Sequence, residues 1–258
     1  MAKLVAVFNI KGGVGKTTSA VNLAYLAAMS GYKTLIWDMD HQGAAGYFLD
    51  VDDQLKGGLK SVIKDMENKP AKRKLFSKAL QTDFEDLDIL PSDISLRLLD
   101  VKASQARQTK KFIDKLLQPM QEEYDYIFVD CPPGLTVANE SLLYAADLVL
   151  VPTIPTVLSV RMLEQLRDYI FTAIKDKSKR PKIRAFFNMM DTRKAMHKEI
   201  FDQLCIKRKT MVMPIAVPNA SVAERMGTER TPIAEFAPNS AAAKEYEKLW
   251  RGIHKMRL

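Results

Sequence analysis

Residues 9–18, Asn-Ile-Lys-Gly-Gly-Val-Gly-Lys-Thr-Thr, constrain this chain more than any other stretch. The apolar run Leu4 to Phe8 leads into them, and a helical pattern from Ser19 to Met29 leads out. Strand, glycine-rich loop and helix, in that order, form the setting in which backbone N–H groups and a helix N-terminus surround a phosphate. Gly12, Gly13 and Gly15 let the main chain pass close to an anion that a Cβ would obstruct. Lys16 is placed to reach outer phosphates, and the Thr17 hydroxyl to hold Mg²⁺.

The strict pattern G-x-x-x-x-G-K-[ST] requires glycine where Ile10 stands, and a second lysine, Lys11, sits at the mouth of the loop. A lysine there folds back onto its own loop less easily than Lys16, so it is free to reach a phosphate bound by another subunit. Lys-Gly-Gly-Val-Gly-Lys-Thr-Thr resembles the deviant Walker A motif of the ParA/MinD family of dimeric ATPases. The resemblance runs over nearly the whole chain and points to the Soj-like branch that lacks an N-terminal helix-turn-helix domain. It implies a nucleotide site built from Lys11, Gly12, Gly13, Val14, Gly15, Lys16, Thr17 and Thr18, with ATP and Mg²⁺ as cofactors. It also implies an ATP-dependent homodimer in which Lys11 crosses to the partner's nucleotide.

Two further strands end in acids. Lys33 to Asp40 reads as a buried strand, and a side-chain period of two puts Asp38 and Asp40 on one side. Carboxyl ends of parallel strands face the ligand crevice. Acids beside phosphate repel it unless Mg²⁺ or water intervenes. The resemblance assigns Asp38 to the metal's surroundings and Asp40 to positioning the attacking water. His41 replaces the family's usual proline after Asp40. Tyr124 to Gly134 is an apolar strand ending in Asp130, followed by a stiff Pro132-Pro133-Gly134 turn. It reads as a Walker B strand whose acid holds Mg²⁺, with residues 131–138 as a switch.

The expected fold is α/β: a P-loop NTPase with a mostly parallel twisted sheet and helices on both faces, formed as one domain over residues 1–258. That length buries roughly three quarters of the unfolded surface. Cys131 and Cys205 form no C-x-x-C, which argues for a reducing compartment and against a disulfide framework or cysteine-held metal. His41, His197 and His254 show no ligand spacing. The N-terminus runs straight into a strand, so no signal peptide is expected, and no apolar run is long enough to span a bilayer. The net charge of +8 and pI near 9.3 favour a polyanionic partner. Nucleic acid ranks first and an anionic membrane second, with a generic solvated basic surface as the bland reading.

Helical spacing is expected over Leu59–Met66 and Leu75–Leu80, then a short strand at Leu87–Ser92. A long helical stretch follows from Ile94 to Leu117, exposed or broken at its polar middle. Helix 138–146, strand Asp147–Thr153 and helix Val157–Ala173 come next. The densest basic run is 175–184, with Lys175, Lys177, Lys179, Arg180, Lys182 and Arg184. It lacks aromatic residues, so as a DNA contact it would touch phosphates rather than read bases; the alternative is a solvated helix end. Strand Ile183–Phe187 ends at Asn188, which the resemblance places against adenine; a turn cap is the rival role. Arg193–Leu204 reads as a helix with a basic face and Thr210–Pro214 as a strand. Residues 215–221 match the family loop that packs on the base, giving Pro218 and Asn219 as nucleotide contacts. Asn219 stands where an arginine is usual. The last helix, with Leu249, Trp250 and Ile253, is expected to pack on the domain rather than lie on a membrane.

The resemblance implies a weak Mg²⁺-dependent ATPase that forms an ATP-sandwich dimer and binds DNA without sequence preference. Its job would be to partition or position plasmid, chromosome or protein cargo. A ParB-like partner or cargo adaptor would stimulate hydrolysis, in a cytoplasmic, nucleoid-associated setting. The rivals are a MinD-like membrane ATPase, a metabolic ATP-dependent ligase on the same fold, and a metal-cluster scaffold, which the absence of paired cysteines disfavours.

Overall fold

The computed structural model describes residues 1–53, 57, 58, 61 and 79–256. They form an eight-stranded sheet in the order β3-β4-β2-β5-β1-β6-β7-β8. The strands are β1 (Lys3–Val7), β2 (Thr34–Asp38), β3 (Leu80–Gln81), β4 (Leu87–Leu90), β5 (Tyr126–Asp130), β6 (Leu148–Thr153), β7 (Lys182–Met190) and β8 (Val212–Pro218). All neighbouring pairs are parallel except β3 on β4, so the sheet is the mostly parallel one expected.

The strands are nearly continuous apolar runs because both faces of the sheet are covered. Along β1 and just beyond it, Leu4, Ala6 and Phe8 enter one core, while Val5 and Val7 enter the other. The first core lies under α3 (Leu99–Gln105), α4 (Phe112–Leu117), α5 (Val137–Ala145) and α6 (Val157–Ala173). The second lies under α1 (Lys16–Ala28), α8 (Ser221–Glu229), α9 (Ile233–Phe236) and α10 (Ala241–His254). The short α2 (Ala44–Phe48) follows β2, and α7 (Ala195–Lys207) follows β7. Helix α10 packs on α1 and β8, burying Tyr246, Leu249, Trp250 and Ile253, as expected of a closing helix.

Several expectations change. Residues 94–117 are not one helix. A 3₁₀ turn at Ile94–Leu98 leads into α3, the chain extends at Ala106, and a second turn at Thr109–Lys111 leads into α4. The break lets the Ile113 N–H donate to the Ser141 hydroxyl at 2.9 Å, docking α4 onto α5. Strand β8 runs on through Pro218, because Ile215 and Val217 alternate into the core; the expected loop 215–221 therefore shrinks to Asn219-Ala220. Strand β7 continues past Asn188 to Met190, with irregular register against β8. Helix α7 starts at Ala195, since the Asp191 carboxylate accepts from the Arg193 N–H and pairs with its guanidinium, holding a turn there. The helical spacing over 59–66 and 75–79 falls mostly outside the described residues, and Leu80 opens β3.

Candidate nucleotide site

The loop after β1 sits where β5 lies on one side and β6 on the other, at the carboxyl edge of the sheet. This is the crevice position in an open parallel sheet. Asn9 fixes the loop's entry. Its Oδ1 accepts from the Lys11 N–H at 2.9 Å, and its Nδ2 donates to the Pro152 carbonyl at 2.8 Å. Gly15 has φ +82°, and a Cβ there would lie 2.2 Å from Asn188 Nδ2. That amide donates to the Val14 carbonyl at 2.8 Å, so Asn188 braces the loop from β7. Pro218 pairs with Met190, and the Asn219 N–H donates to the Met190 carbonyl at 2.9 Å. Asn188, Pro218 and Asn219 thus share one end of adjacent strands.

Lys16 is buried at the start of α1, with Thr17 beside it. Across the sheet, Asp38 of β2 and Asp130 of β5 are register partners, and both are buried. Asp38 Oδ2 accepts from the Ala45 N–H at 2.9 Å and the Gly46 N–H at 3.4 Å. Among the described residues, its Oδ1 and both Asp130 carboxylate oxygens are buried without a hydrogen-bond partner. Burial pushes the Asp130 carboxyl far above its ordinary value, and the Asp38 charge adds to this; Thr17 and Lys16 oppose it. Burial likewise pushes Asp38 up to about 7, opposed by the Ala45 and Gly46 amides, with the Asp40 charge adding a smaller rise.

Buried carboxylate oxygens without partners are costly unless a cation or donor meets them. Asp130, Asp38 and the Thr17 hydroxyl are all oxygen donors, the set that suits Mg²⁺. Among the described residues no group of three His, Cys, Asp or Glu side chains forms a metal cage. Mg²⁺ is commonly held in this sparse way, by one or two carboxylates with phosphate and water completing the shell. The residues fit the ion.

Asp40 lies just past β2. Its carbonyl accepts from the Ser92 hydroxyl at 2.6 Å and from the Gly43 N–H at 3.0 Å. Its carboxylate accepts from the Gln42 N–H at 3.1 Å. The turn after Asp130 is held by Asn139 of α5, whose Nδ2 donates to the Pro132 carbonyl at 3.0 Å and the Gly134 carbonyl at 2.8 Å. The Gly134 N–H donates in turn to the Ile10 carbonyl at 3.1 Å, joining the turn to the loop. Among the described residues, the Lys11 ammonium has neither hydrogen bond nor ion pair. Asn9, Ser92 and Asn139 escape a reading of the sequence, because each acts through contacts that spacing does not reveal.

The six basic residues of 175–184 lie away from this site, near the amino end of β7 and so at the opposite edge of the sheet. Arg180 donates to the carbonyls of Ile174, Phe171 and Lys175. Arg184 donates to those of Ile183 and Thr210. Both guanidiniums therefore serve the fold. Lys175, Lys177 and Lys179 are exposed.

A phosphate-cradling loop, a buried lysine and facing strand-end acids define a P-loop nucleotide-hydrolase site. The model of an AAA domain family matches residues 2–184, and the chain belongs to that family as a P-loop ATPase of the ParA/MinD type. The chromosome-partitioning ATPase Soj of Treponema pallidum is 29% identical over 98% of this chain and 97% of its own length. The sporulation initiation inhibitor protein Soj of Bacillus subtilis is 27% identical over 98% of both chains. Among solved structures, a Cyanothece McdA–ATP complex aligns with TM-score 0.83 at 19% identity, covering 100% of this chain and 98% of that one. Cobyrinic acid a,c-diamide synthase from Mycobacterium smegmatis, with ADP and magnesium, aligns at 0.80 with 21% identity, covering 98% and 94%. These two likenesses bear on the fold.

Proposed function

We propose that this chain is a Mg²⁺-dependent ATPase whose ATP-bound form pairs with a second copy and holds DNA without sequence preference, so that hydrolysis times the release of cargo. The observation that carries the reading is a set of buried carboxylate oxygens, Asp38 Oδ1 and both of Asp130, that among the described residues have no hydrogen-bond partner and face Lys16 and Thr17, with a Lys11 ammonium at the rim that among the same residues is unpaired. Lys16 and the loop N–H groups neutralise phosphate charge. Thr17 and Asp130 hold Mg²⁺, with Asp38 behind them; bound Mg²⁺ offsets charge on the outer phosphates. Asp40 orients the attacking water, its backbone pinned by Ser92 and Gly43. Lys11 acts on the partner's phosphates like an arginine finger, a device worth about 10³–10⁵ in rate elsewhere. Asn188, Pro218 and Asn219 lie toward the base.

The carboxyl edge also offers a surface for the second copy. Val157 and Leu158, just beyond β6, are 71% and 57% exposed, and Leu135 beyond β5 is 37% exposed. Pairing doubles the +8 charge, which makes DNA binding depend on ATP. The job is partitioning or positioning of plasmid, chromosome or protein cargo, at the nucleoid, with a ParB-like protein or cargo adaptor stimulating turnover. Soj and ParA relatives, named for chromosome partitioning, support this direction. The membrane reading loses its instrument, because the apolar side chains of α10 are buried.

The test is a gel shift on random duplex DNA with ATP, with ADP and without nucleotide, using wild type and Lys16→Ala. ATP should strengthen binding by wild type alone. Equal binding under all conditions rules out the switch. A ligase reading gains if Lys11→Ala turns over ATP normally.

A further inference from the structure

The edge of the sheet opposite the nucleotide loops carries a cleft of about 820 Å³. Lys110 and Lys111, in the turn before α4, form one wall. The segment after α6, with Lys175 and Lys179, forms the other. The Tyr144 hydroxyl donates to the Ala173 carbonyl at 2.5 Å, tying the last turns of α5 and α6 together and fixing the spacing of the walls. Lys110 Nζ lies 4.7 Å from the centre of the Tyr144 ring.

The cleft's three acids, Asp114, Asp147 and Asp176, face six basic side chains and leave a net excess of positive charge. Asp147 Oδ2 accepts from the Leu4 N–H at 2.8 Å. Asp176 Oδ1 accepts from the Ser178 N–H and hydroxyl, and its other oxygen pairs with Lys179. Arg180 is occupied by carbonyls. Lys110, Lys111, Lys175 and the adjoining Lys177 have no carboxylate partner among the described residues. Ammonium groups gathered on two walls repel one another until an anion enters between them. Lysine neutralises phosphate as a point charge and reads no base. A lipid surface, by contrast, is met by a basic helix with apolar residues free to insert, and this recess presents no such face.

We infer that this cleft is a phosphate-backbone site for duplex nucleic acid, and that each subunit carries it complete without bound nucleotide. The inference rests on the DNA-binding reading above and locates that contact. Since the cleft lies away from the carboxyl edge, pairing through the nucleotide leaves both clefts open. ATP then acts by avidity, joining two whole sites, rather than by building one.

The experiment is fluorescence polarisation with a labelled random duplex across a salt series, without nucleotide and with ATP. One variant carries Lys110→Gln, Lys111→Gln, Lys175→Gln and Lys177→Gln; a second carries Lys→Arg at the same positions; a third carries Arg193→Gln, Lys194→Gln and Lys198→Gln. The glutamine set should bind at least about tenfold more weakly in both nucleotide conditions. Its slope of log K against log salt should flatten by about 3 to 4, at roughly 0.9 per lost phosphate contact. The arginine set should retain binding, and the third variant should change little. Wild-type affinity in the glutamine set, or a loss seen only with ATP, overturns the cleft while leaving DNA binding itself standing. A wild type that binds no duplex in any condition, even if it binds phosphatidylserine vesicles, overturns both.

Discussion

Asp130 is held where an unpaired carboxylate is least stable, and that strain belongs to the site's function. Among the described residues neither of its oxygens has a hydrogen-bond partner, and Asp38 faces it across the sheet. Without nucleotide and divalent cation, Asp130→Asn should raise stability at neutral pH by about 1–3 kcal/mol, while abolishing hydrolysis. The pH dependence follows from both acids: burial raises Asp38 from 3.8 to about 7 and raises Asp130 as well. Between those values the folded chain binds more protons than the unfolded one, so stability falls as pH rises through that window. Thermal melts of the nucleotide-free protein should show that decline, and Asp130→Asn should make it shallower. An unchanged pH profile would mean that Asp130 takes up no proton on folding. Asn139 works differently, by donating to two turn carbonyls. Asn139→Ala leaves both without that donor, at about 1–3 kcal/mol. ATPase assays should show kcat reduced by about 10²-fold with KM little changed, since the displaced turn positions rather than binds.

At the scale of elements, α10 decides between a docked helix and a membrane anchor. Trp250 is buried, and its Nε1–H donates to the Ser30 hydroxyl at 2.9 Å. Tyr126 packs edge-on against it, with ring centroids 5.0 Å apart. Trp250→Ala should therefore cost about 3–5 kcal/mol, lowering Tm by roughly 10 °C. Sedimentation with anionic vesicles should be no different from wild type; a selective loss of vesicle binding without a stability change would restore the anchor. The loop preceding α1 is equally committed. Gly15→Ala adds a Cβ against Asn188 at a φ of +82°, so the loop must deform. Equilibrium dialysis should show ATP binding lost while the rest of the chain still melts cooperatively.

At the scale of the whole molecule, the sheet order separates two tasks. The ends of β1, β2 and β5 bring Lys11, Lys16, Thr17, Asp38 and Asp130 to one edge, and the basic cleft lies at the other. Lys11→Ala should then remain a single subunit with ATP, while wild type doubles in mass by light scattering. The same variant should keep the weak nucleotide-free affinity for duplex DNA. A Lys11→Ala protein that pairs normally would remove the trans role of this lysine.

Much of the site could be read in order along the chain, because a phosphate loop and strand-end acids are local patterns: glycine spacing, a lysine and a threonine, an apolar run that stops at aspartate. The sheet's parallel character was legible for the same reason, since strands covered on both faces lose polar alternation. Partnerships between distant side chains were not. Asn139 lies inside an ordinary helical pattern and Asn9 inside a loop, and only folding shows which carbonyls they reach. The run at 175–184 is the densest basic stretch, yet Arg180 and Arg184 are consumed by backbone oxygens while Lys110 and Lys111 arrive from a separate segment. Local order determined the chemistry available to this protein. Tertiary packing decided which of those charges are left without a partner, because that depends on neighbours far away in the chain.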